Sequence, residues 1–255
     1  MPRTLRTSNP VRRGHPLNQG RIAWWITLPH TQGTTTWFDI VGTNHASLVG
    51  MGNATNGWRP THRPGGFGHL VTDGSAGYLL NTNLPSSGNM AFAAWVVRGA
   101  GRTASGYGSI AGHETLPAAS DWYFYFNPSN VLSIDIPYVL ANAAVGGTVS
   151  DTTSWHQVGF TRSGTTGSWS YSIFLDGKVT ATATTTSNPV LSPFYLSLAS
   201  SFSGAVGAAT NFQQLAIDDA SVWFGNPIAT ANPAAFAALH YDQSIRGNPD
   251  TLNYF

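Results

Sequence analysis

The sequence predicts an all-β protein, a sandwich of antiparallel sheets. The clearest support is a hairpin over residues 155–179, in whose first strand Val158 and Phe160 alternate with polar or small residues. Four residues of the second strand alternate in the same way: Trp169, Tyr171, Ile173 and Leu175. A period of two is typical of half-buried antiparallel strands. The pair Asp176-Gly177 predicts a tight turn after the second strand, because these residues tolerate the positive φ angles of a primed hairpin turn.

Short strand-like segments separated by turn residues continue this pattern from residue 21 to residue 224. Trp24 and Trp25 are expected on opposite faces of the first of these strands. Many short strands with turn signals between them are typical of a sandwich or jelly roll. The one clear helix signal comes near the end of the chain. Asn232 is a suitable N-cap there, and Pro233 fits the first helical position.

The composition favours a rigid, ordered β shell. Of the 255 residues, 42% are hydrophobic and only 9% are charged, which excludes a disordered chain. Cysteine is absent, so disulfide and thiol chemistry are excluded. The formal net charge of +1 gives no reason to expect nucleic acid as a partner. No stretch approaches the ~20 apolar residues of a membrane span, and no signal-peptide pattern is evident.

Charge and proline content divide the chain into three predicted segments. Residues 1–20 are expected to form an extended basic arm, residues 21–242 the jelly-roll domain, and residues 243–255 a C-terminal tail. The arm contains no acidic residue and four arginines: Arg3, Arg6, Arg12 and Arg13. The arm is either a disordered tail, or it becomes ordered along a partner surface, where guanidinium groups bind carboxylates or carbonyls. An arm that binds nucleic acid is the weaker alternative, because the arginines are sparse and do not form a run.

Five stretches resemble the motifs of one fold family. They are WFDIVGTNHA, VTDGSAGY, MAFAAWV, WHQVGFTRSG…YSIFLDGK and IDDASVW…AALHYDQ. Together they are similar to laminin-G-like and concanavalin A-like lectin/glucanase jelly-roll domains, over about residues 21–242. The resemblance implies a jelly-roll fold. Members of the family include lectin-like modules and some glycosidases, and many are modules of virus or bacterial surface proteins, so the fold alone does not decide the function.

The residues give little support to catalysis. Glycosidases use two carboxyl groups that flank the scissile bond, and the related glucanases carry them in an E-x-D-x-E strand. Glu114 is the one glutamate of this chain, so that motif is absent. Asp218 and Asp219 are adjacent and would point to opposite faces of a strand. There is also no G-x-S-x-G elbow for a serine nucleophile. We therefore expect no enzyme activity, and a glycoside hydrolase is the weaker alternative.

Two kinds of ligand site remain as candidates. Glycan binding needs aromatic side chains in or beside loops, and four qualify: Trp58, Tyr107, Trp122 and Tyr123. The alternative for each is packing in the core. No cofactor is required, but the resemblance implies calcium at the rim of the sandwich. Four aspartates offer oxygen ligands: Asp73, Asp121, Asp218 and Asp219. The alternative is that aspartates stabilise turns. His156 is expected to be structural, bonded to a neighbouring strand or turn.

These observations lead to one preferred function and one alternative. We expect a non-enzymatic binding or structural module on a virion surface, such as a phage capsid decoration or fibre-like protein. Residues 1–20 would dock it on the assembly, and the tail GNPDTLNYF would be a second contact. The alternative is a secreted or cell-surface lectin-like protein that binds carbohydrate. A homo-oligomer is compatible with either function.

Overall fold

The computed structural model describes most of the predicted domain. The described residues are 14–25, 36–37, 39–50, 57–59, 69–73, 76–84, 88–102, 108–115, 119–136, 140–188, 194–198, 201–202, 209–210 and 213–245. For part of the strands this description covers the backbone only. No helix within the described residues is both long and apolar enough to cross a membrane.

Strands dominate the described residues, with a single 3₁₀ turn at Pro16–Asn18 and two helices, α1 Pro227–Ala231 and α2 Pro233–Ile245. In chain order the strands are β1 Arg21–Trp25, β2 Thr36–Trp37, β3 Ala46–Gly50, β4 Gly57–Arg59, β5 His69–Asp73, β6 Ala76–Leu84, β7 Met90–Arg102, β8 Gly108–Thr115, β9 Ala119–Phe126, β10 Val131–Ile136, β11 Leu140–Thr148, β12 His156–Thr165, β13 Ser168–Leu175, β14 Lys178–Thr185, β15 Phe194–Leu198, β16 Ser201–Phe202, β17 Ala209–Thr210 and β18 Gln213–Phe224.

These strands form an antiparallel sandwich, which confirms the predicted all-β fold class. The first sheet has the order β14-β13-β12-β7-β18-β5-β4, and β1 pairs with the second half of β18. The second sheet has the order β11-β10-β9-β8-β15-β6-β3-β2. Strands that are distant in sequence are neighbours in both sheets, as in β7-β18 and β8-β15. Such crossovers between two sheets are typical of jelly rolls.

The main core lies between the two sheets. Phe92 and Phe160 of the first sheet meet Trp122 of the second, with ring centroids 6.0 and 4.9 Å from that of Trp122. Trp25 from β1 packs against Trp37 in the same core. Trp24, its neighbour, belongs to a different environment beside Arg21 and Asp219. Aromatic rings from the two inner faces therefore interdigitate, as in other sandwiches.

A second apolar cluster lies on the other face of the first sheet. Phe174 and Trp223 there contact Phe236 of α2, with ring centroids 6.1 and 5.1 Å from that of Phe236. Leu17 of the 3₁₀ turn completes the cluster and is almost fully buried. The helices and the 3₁₀ turn thus cover part of a sheet face that would otherwise expose aromatic side chains to water.

The hairpin at 155–179 forms as predicted. Asp176 and Gly177 have φ angles of 48° and 77°, as a primed two-residue turn requires. Val158 and Phe160 lie in the main core. The expectation that β12 is half-buried is wrong, because Gln157 and Thr161 on its other face are also buried. Helices α1 and α2 pack on that face, and local periodicity does not reveal this cover.

The C-terminal helix begins as predicted and ends later. Asn232 accepts a hydrogen bond from the backbone N–H of Ala235 at 3.0 Å, and Pro233 starts α2. The helix continues to Ile245, with Gln243 and Ser244 buried, so the folded domain extends beyond the predicted boundary at residue 242. Helix α1 was not predicted, although Asn226 caps it in the same way by accepting from the N–H of Ala229.

Residues 16–20 of the predicted N-terminal arm belong to the folded body. The indole N–H of Trp223 donates to the carbonyl of Leu17. The side chain of Asn226 donates to the carbonyls of Pro16 and Gln19, at 3.0 and 2.8 Å. These contacts fix the segment to β18 and to the start of α1. The four arginines of the predicted arm lie outside the described residues: Arg3, Arg6, Arg12 and Arg13.

His156 is structural, as predicted, and links the hairpin turn to the preceding loop. Its Nδ1 is 2.8 Å from Oδ2 of Asp176, and its Nε2 is 2.9 Å from Oδ2 of Asp151. The hydrogen bonds to Asp176 and Asp151 outweigh partial burial and raise the pKa of His156 to about 9. The hydrogen bond from His156, with those from the N–H groups of Ser154 and Thr153, holds the pKa of Asp151 well below its usual range.

Alanine substitutions at Gly167, in the turn between β12 and β13, and at Gly177, in the turn between β13 and β14, should separate backbone strain from steric contact. Among the described residues beyond its chain neighbours, no atom lies within 4 Å of the position that a Cβ would take on Gly167 (φ 76°). A Cβ on Gly177 (φ 77°) would lie 3.0 Å from Cβ of Tyr241. We expect Gly167→Ala to lower the free energy of unfolding by about 1–2 kcal/mol, the cost of the left-handed region for a residue with a Cβ. Gly177→Ala should cost roughly 1 kcal/mol more, because Tyr241 must also move. Equal midpoints in urea for the two variants would contradict this contact.

The His156 cluster should make stability fall in alkaline solution. The pKa of His156 is raised in the folded state, so its stabilising contribution is fully present below its unfolded pKa of about 6.5. That contribution is lost as the pH rises through about 9. Urea unfolding across this window should show the decline, and His156→Gln should flatten it. An identical pH profile for the variant would show that another group is responsible.

Candidate functional site

The first of the resembling motifs proves to be a structural loop. Asp39 is buried, and its Oδ1 accepts hydrogen bonds from the N–H groups of Trp24 and Val41, both at 2.9 Å. Its Oδ2 accepts from the N–H of Asn44 at 3.1 Å. The N–H of Asp39 in turn donates to Nδ1 of His45 at 3.1 Å. The side chains of Asp39 and His45 therefore tie the loop after β2 to β1 and serve the fold.

The adjacent aspartates of β18 are buried. Asp219 has a φ of 52°, at a register irregularity in the pairing of β18 with β7. Its Oδ1 accepts from the indole N–H of Trp24 at 2.6 Å. The guanidinium of Arg21 lies between the rings of Trp24 and Trp223, 3.9 and 4.7 Å from their centroids. Burial lowers the pKa of Arg21 to about 9, and the charge of Asp219 opposes that shift.

This arrangement gives Asp219 a structural role at the anchor of the N-terminal segment. Within the described residues no group of three His, Cys, Asp or Glu side chains could hold a metal ion. Asp218 and Asp219 are both almost fully buried. The side chains of Asp73 and Asp121 lie outside the described residues. Calcium binding at these four positions therefore stays a prediction.

Trp122 is a core residue and does not form part of a glycan site. It has no exposed surface, and its ring stacks on His113 at 5.9 Å between centroids, in addition to its contacts with Phe92 and Phe160. The prediction that Trp122 stacks on a glycan is therefore wrong. Successive side chains of β9 point to opposite faces of the sheet. Trp122 lies on the inner face, to which the neighbouring strands also direct their apolar residues. Of the other candidates, Tyr107 and the side chain of Trp58 lie outside the described residues.

Tyr123 lies on the outer face of the second sheet and is half-buried. Phe124 and Phe126 of the same strand point into the core, so Tyr123 and Tyr125 face away from it. Their rings are stacked, with centroids 4.7 Å apart and planes 18° from parallel. Tyr125 is almost fully buried beneath, which gives Tyr123 a firm aromatic support.

A carboxylate stands beside this pair. In the register of β9 with β10, Asp135 lies opposite Tyr123 and Ser133 lies opposite Tyr125. The hydroxyl of Tyr125 donates to Oδ1 of Asp135 at 2.9 Å, which fixes the half-buried carboxylate beside the rings. Cross-strand neighbours on one face are close enough to act together on one ligand. The aromatic pair and the acceptor thus form one surface.

Val145 extends this surface to the outer strand. It lies opposite Ser133 in the pairing of β10 with β11. At 48% exposure it is the one large hydrophobic residue that is exposed among the described side chains. Tyr123, Tyr125, Asp135 and Val145 therefore combine an aromatic face, a hydrogen-bond acceptor and an apolar contact across three strands. We call these four residues the tyrosine surface.

The sequence analysis found one of these four residues. Tyr123 was a candidate, whereas Tyr125, Asp135 and Val145 were missed. The sequence did contain a signal for Tyr125 and Asp135. Alternation in D-W-Y-F-Y-F places Tyr125 on the same face as Tyr123, and alternation in V-L-S-I-D-I places Asp135 on the same face as Ser133. Nothing local indicates that β9 and β10 pair in the register that brings Asp135 to the tyrosines.

Comparisons with known proteins identify the fold. No protein-family model and no curated protein matches the chain. Among solved structures, domain 4 of AbnA, a GH43 extracellular arabinanase from Geobacillus stearothermophilus in complex with arabinotriose, is 14% identical with a TM-score of 0.59. That match covers 86% of this chain and 97% of the domain. Trypanosoma rangeli sialidase in complex with sialic acid is also 14% identical, with a TM-score of 0.57.

The sialidase match covers 89% of this chain but only 34% of the sialidase, so the chain spans about a third of that enzyme. These likenesses contradict the predicted role as a phage capsid decoration, because these two structures belong to a sialidase and an arabinanase. The packing of residues 16–20 against β18 also removes part of the arm on which that prediction rested. At such identities the comparisons establish a jelly-roll-like β-sandwich and leave the finer family assignment a prediction.

Proposed function

We propose that this chain is a non-catalytic carbohydrate-binding domain whose tyrosine surface contacts the sugar. The observation that carries the proposal is the stacked pair of Tyr123 and Tyr125 beside a carboxylate that Tyr125 holds in place. Tyr123 is half-buried, and in this proposal the side of its ring that faces away from Tyr125 contacts the sugar. Asp135 offers a charged acceptor for a sugar hydroxyl, a stronger type of hydrogen bond than one between neutral groups.

The rigidity of this surface favours binding. Tyr125 is buried and stacked, so its ring and the ring above it have few other positions to adopt. The strands of a sheet hold a site more firmly than a loop does, and less conformational entropy is then lost when a ligand binds. Val145 adds an exposed apolar contact at the margin. A few placed polar groups among apolar ones are the usual composition of a small-ligand site.

Two further observations support a binding role without catalysis. The arabinanase domain that this chain matches along 97% of the domain's length was solved with a bound trisaccharide. Hydrolysis by the usual mechanisms needs two carboxyl groups on either side of the bond, whereas Asp135 is the one carboxylate among the described side chains of the tyrosine surface. The single glutamate of the chain, Glu114, agrees with this proposal.

Loss of the Tyr123 ring should weaken carbohydrate binding while the fold is kept. We expect Tyr123→Ala to weaken binding of the best ligand from a glycan array, with arabinotriose included as a probe, by at least about tenfold, or ~1.4 kcal/mol. Titration calorimetry measures the change. Tyr125→Phe keeps the stacked ring but removes the donor to Asp135, so it should weaken binding less. Unchanged affinity in Tyr123→Ala would exclude the tyrosine surface as the site.

The neighbouring Trp122 supplies a contrasting variant. Trp122→Ala removes a fully buried ring, and we expect it to lower the free energy of unfolding by about 3–5 kcal/mol. Thermal unfolding should therefore separate the two positions, with a large loss in Trp122→Ala and a small one in Tyr123→Ala. Thr166→Ala, in the exposed turn between β12 and β13, is the control for both measurements. Equal destabilisation at positions 122 and 123 would contradict their opposite orientation.

A further inference from the structure

The outermost strands of the two sheets differ in how well they could pair with another strand. Strand β4 has three residues and β2 has two. Strand β11 pairs with β10 through two register irregularities and contains Gly146 and Gly147. Short or irregular edges of this kind prevent pairing between molecules. Within the described part of the chain, β14 is the exception, with eight residues.

Strand β14 is nearly uncharged, and it is regular beyond its first three residues. From Trp169↔Thr185 to Ile173↔Ala181 it pairs with β13 in continuous register. The register shift between Ile173 and Phe174 leaves Thr180 as an extra residue, whose hydroxyl accepts from the N–H of Gly147 in β11 at 3.0 Å. Its sequence KVTATATT contains no proline, and its single charge is Lys178 at the start. Proline, inward charges and central lysines are the features that normally protect an edge strand, and β14 has none of these in its centre.

The pattern of β14 is symmetric about Thr182. The residues Thr180-Ala181-Thr182-Ala183-Thr184 read the same in both directions. Thr180, Thr182 and Thr184 are exposed, whereas Ala181 and Ala183 are partly buried against the margin of the main core. A two-fold contact joins one surface to the same surface on another copy, and this pattern lets threonine face threonine and alanine face alanine in such a contact.

We propose that β14 is a dimer interface, in which two copies of this chain pair their β14 strands antiparallel about a two-fold axis at Thr182. In this register Thr180 lies opposite the partner's Thr184, and Ala181 lies opposite the partner's Ala183. Threonine pairs across antiparallel strands are favourable, and the second strand covers the remaining exposed parts of the two alanines. The two copies of Lys178 lie at opposite ends, so they do not repel each other across the pair. The first sheets of the two copies join into one continuous sheet.

The outer face of the joined sheet carries polar side chains beside the new contact. On the outer face, Thr182 lies opposite Ser172 and Thr184 lies opposite Ser170 in the pairing with β13. Hydroxyl groups thus continue across the face on both sides of the new contact. The inference does not depend on carbohydrate binding, since the tyrosine surface is on the other sheet.

The first test is the mass of the unmodified full chain by light scattering and sedimentation over a range of concentrations. We expect twice the mass of one chain, and dissociation on dilution. Thr182→Lys brings two ammonium groups face to face at the axis, and should weaken dimerisation at least tenfold. Thr166→Lys adds the same charge in the exposed turn between β12 and β13, and should leave the dimer unchanged. Circular dichroism and thermal unfolding establish that both variants are folded.

A disulfide experiment locates the axis, because the chain has no cysteine of its own. Residues directly opposite in an antiparallel pair have Cα atoms about 4.5–5.5 Å apart, within the range that a disulfide spans. Oxidised Thr182→Cys should therefore form a covalent dimer in high yield, and Thr166→Cys should not. A monomer at every concentration would overturn the proposal. So would a dimer that Thr182→Lys leaves intact and Thr182→Cys does not cross-link.

Discussion

Gln157 holds together the parts of this fold that are distant in sequence. Its side-chain amide donates to the carbonyl of Ala237 and shares a hydrogen bond of 2.7 Å with His240, both on α2. Its Oε1 accepts from the N–H of Gly177 in the hairpin turn. Its own N–H and carbonyl bond to Asp176. A buried amide is costly unless its groups are paired, so this geometry commits the helix, the turn and β12 to one arrangement.

The outer face of the first sheet is covered by segments from both ends of the chain. Helices α1 and α2 and residues 16–20 lie against Trp223 and Phe174, where water would otherwise meet aromatic rings. Among the described side chains on the outer face of the second sheet are the half-buried Tyr123 and the exposed Val145. Tyr125 is almost fully buried although it faces away from the main core, so the stacked pair adds aromatic burial on this outer face as well.

The fold could be predicted in outline and the site only in part. Alternation, the Asp176-Gly177 turn and the Asn232-Pro233 helix start are local features, each encoded within a few residues, and the structure confirms them. The role of residues 16–20 could not be predicted, because it depends on Trp223 and Asn226, about 200 positions away. The capsid hypothesis rested on the fold, the lack of a signal-peptide pattern and the basic N-terminal segment. It is contradicted by the likeness to structures of a sialidase and an arabinanase, which composition and local motifs do not reveal.

The sequence by itself determined that Trp122 and Tyr123 occupy opposite faces of a strand, since successive side chains of a strand alternate. Only the tertiary structure decided which face meets the other sheet. Phe92 and Phe160 enclose Trp122, whereas Tyr123 is paired with Tyr125 and faces Asp135 across the register of β9 with β10. Periodicity is a property of the local backbone. Burial and the meeting of distant side chains depend on strand pairing, which is fixed when the whole core is assembled.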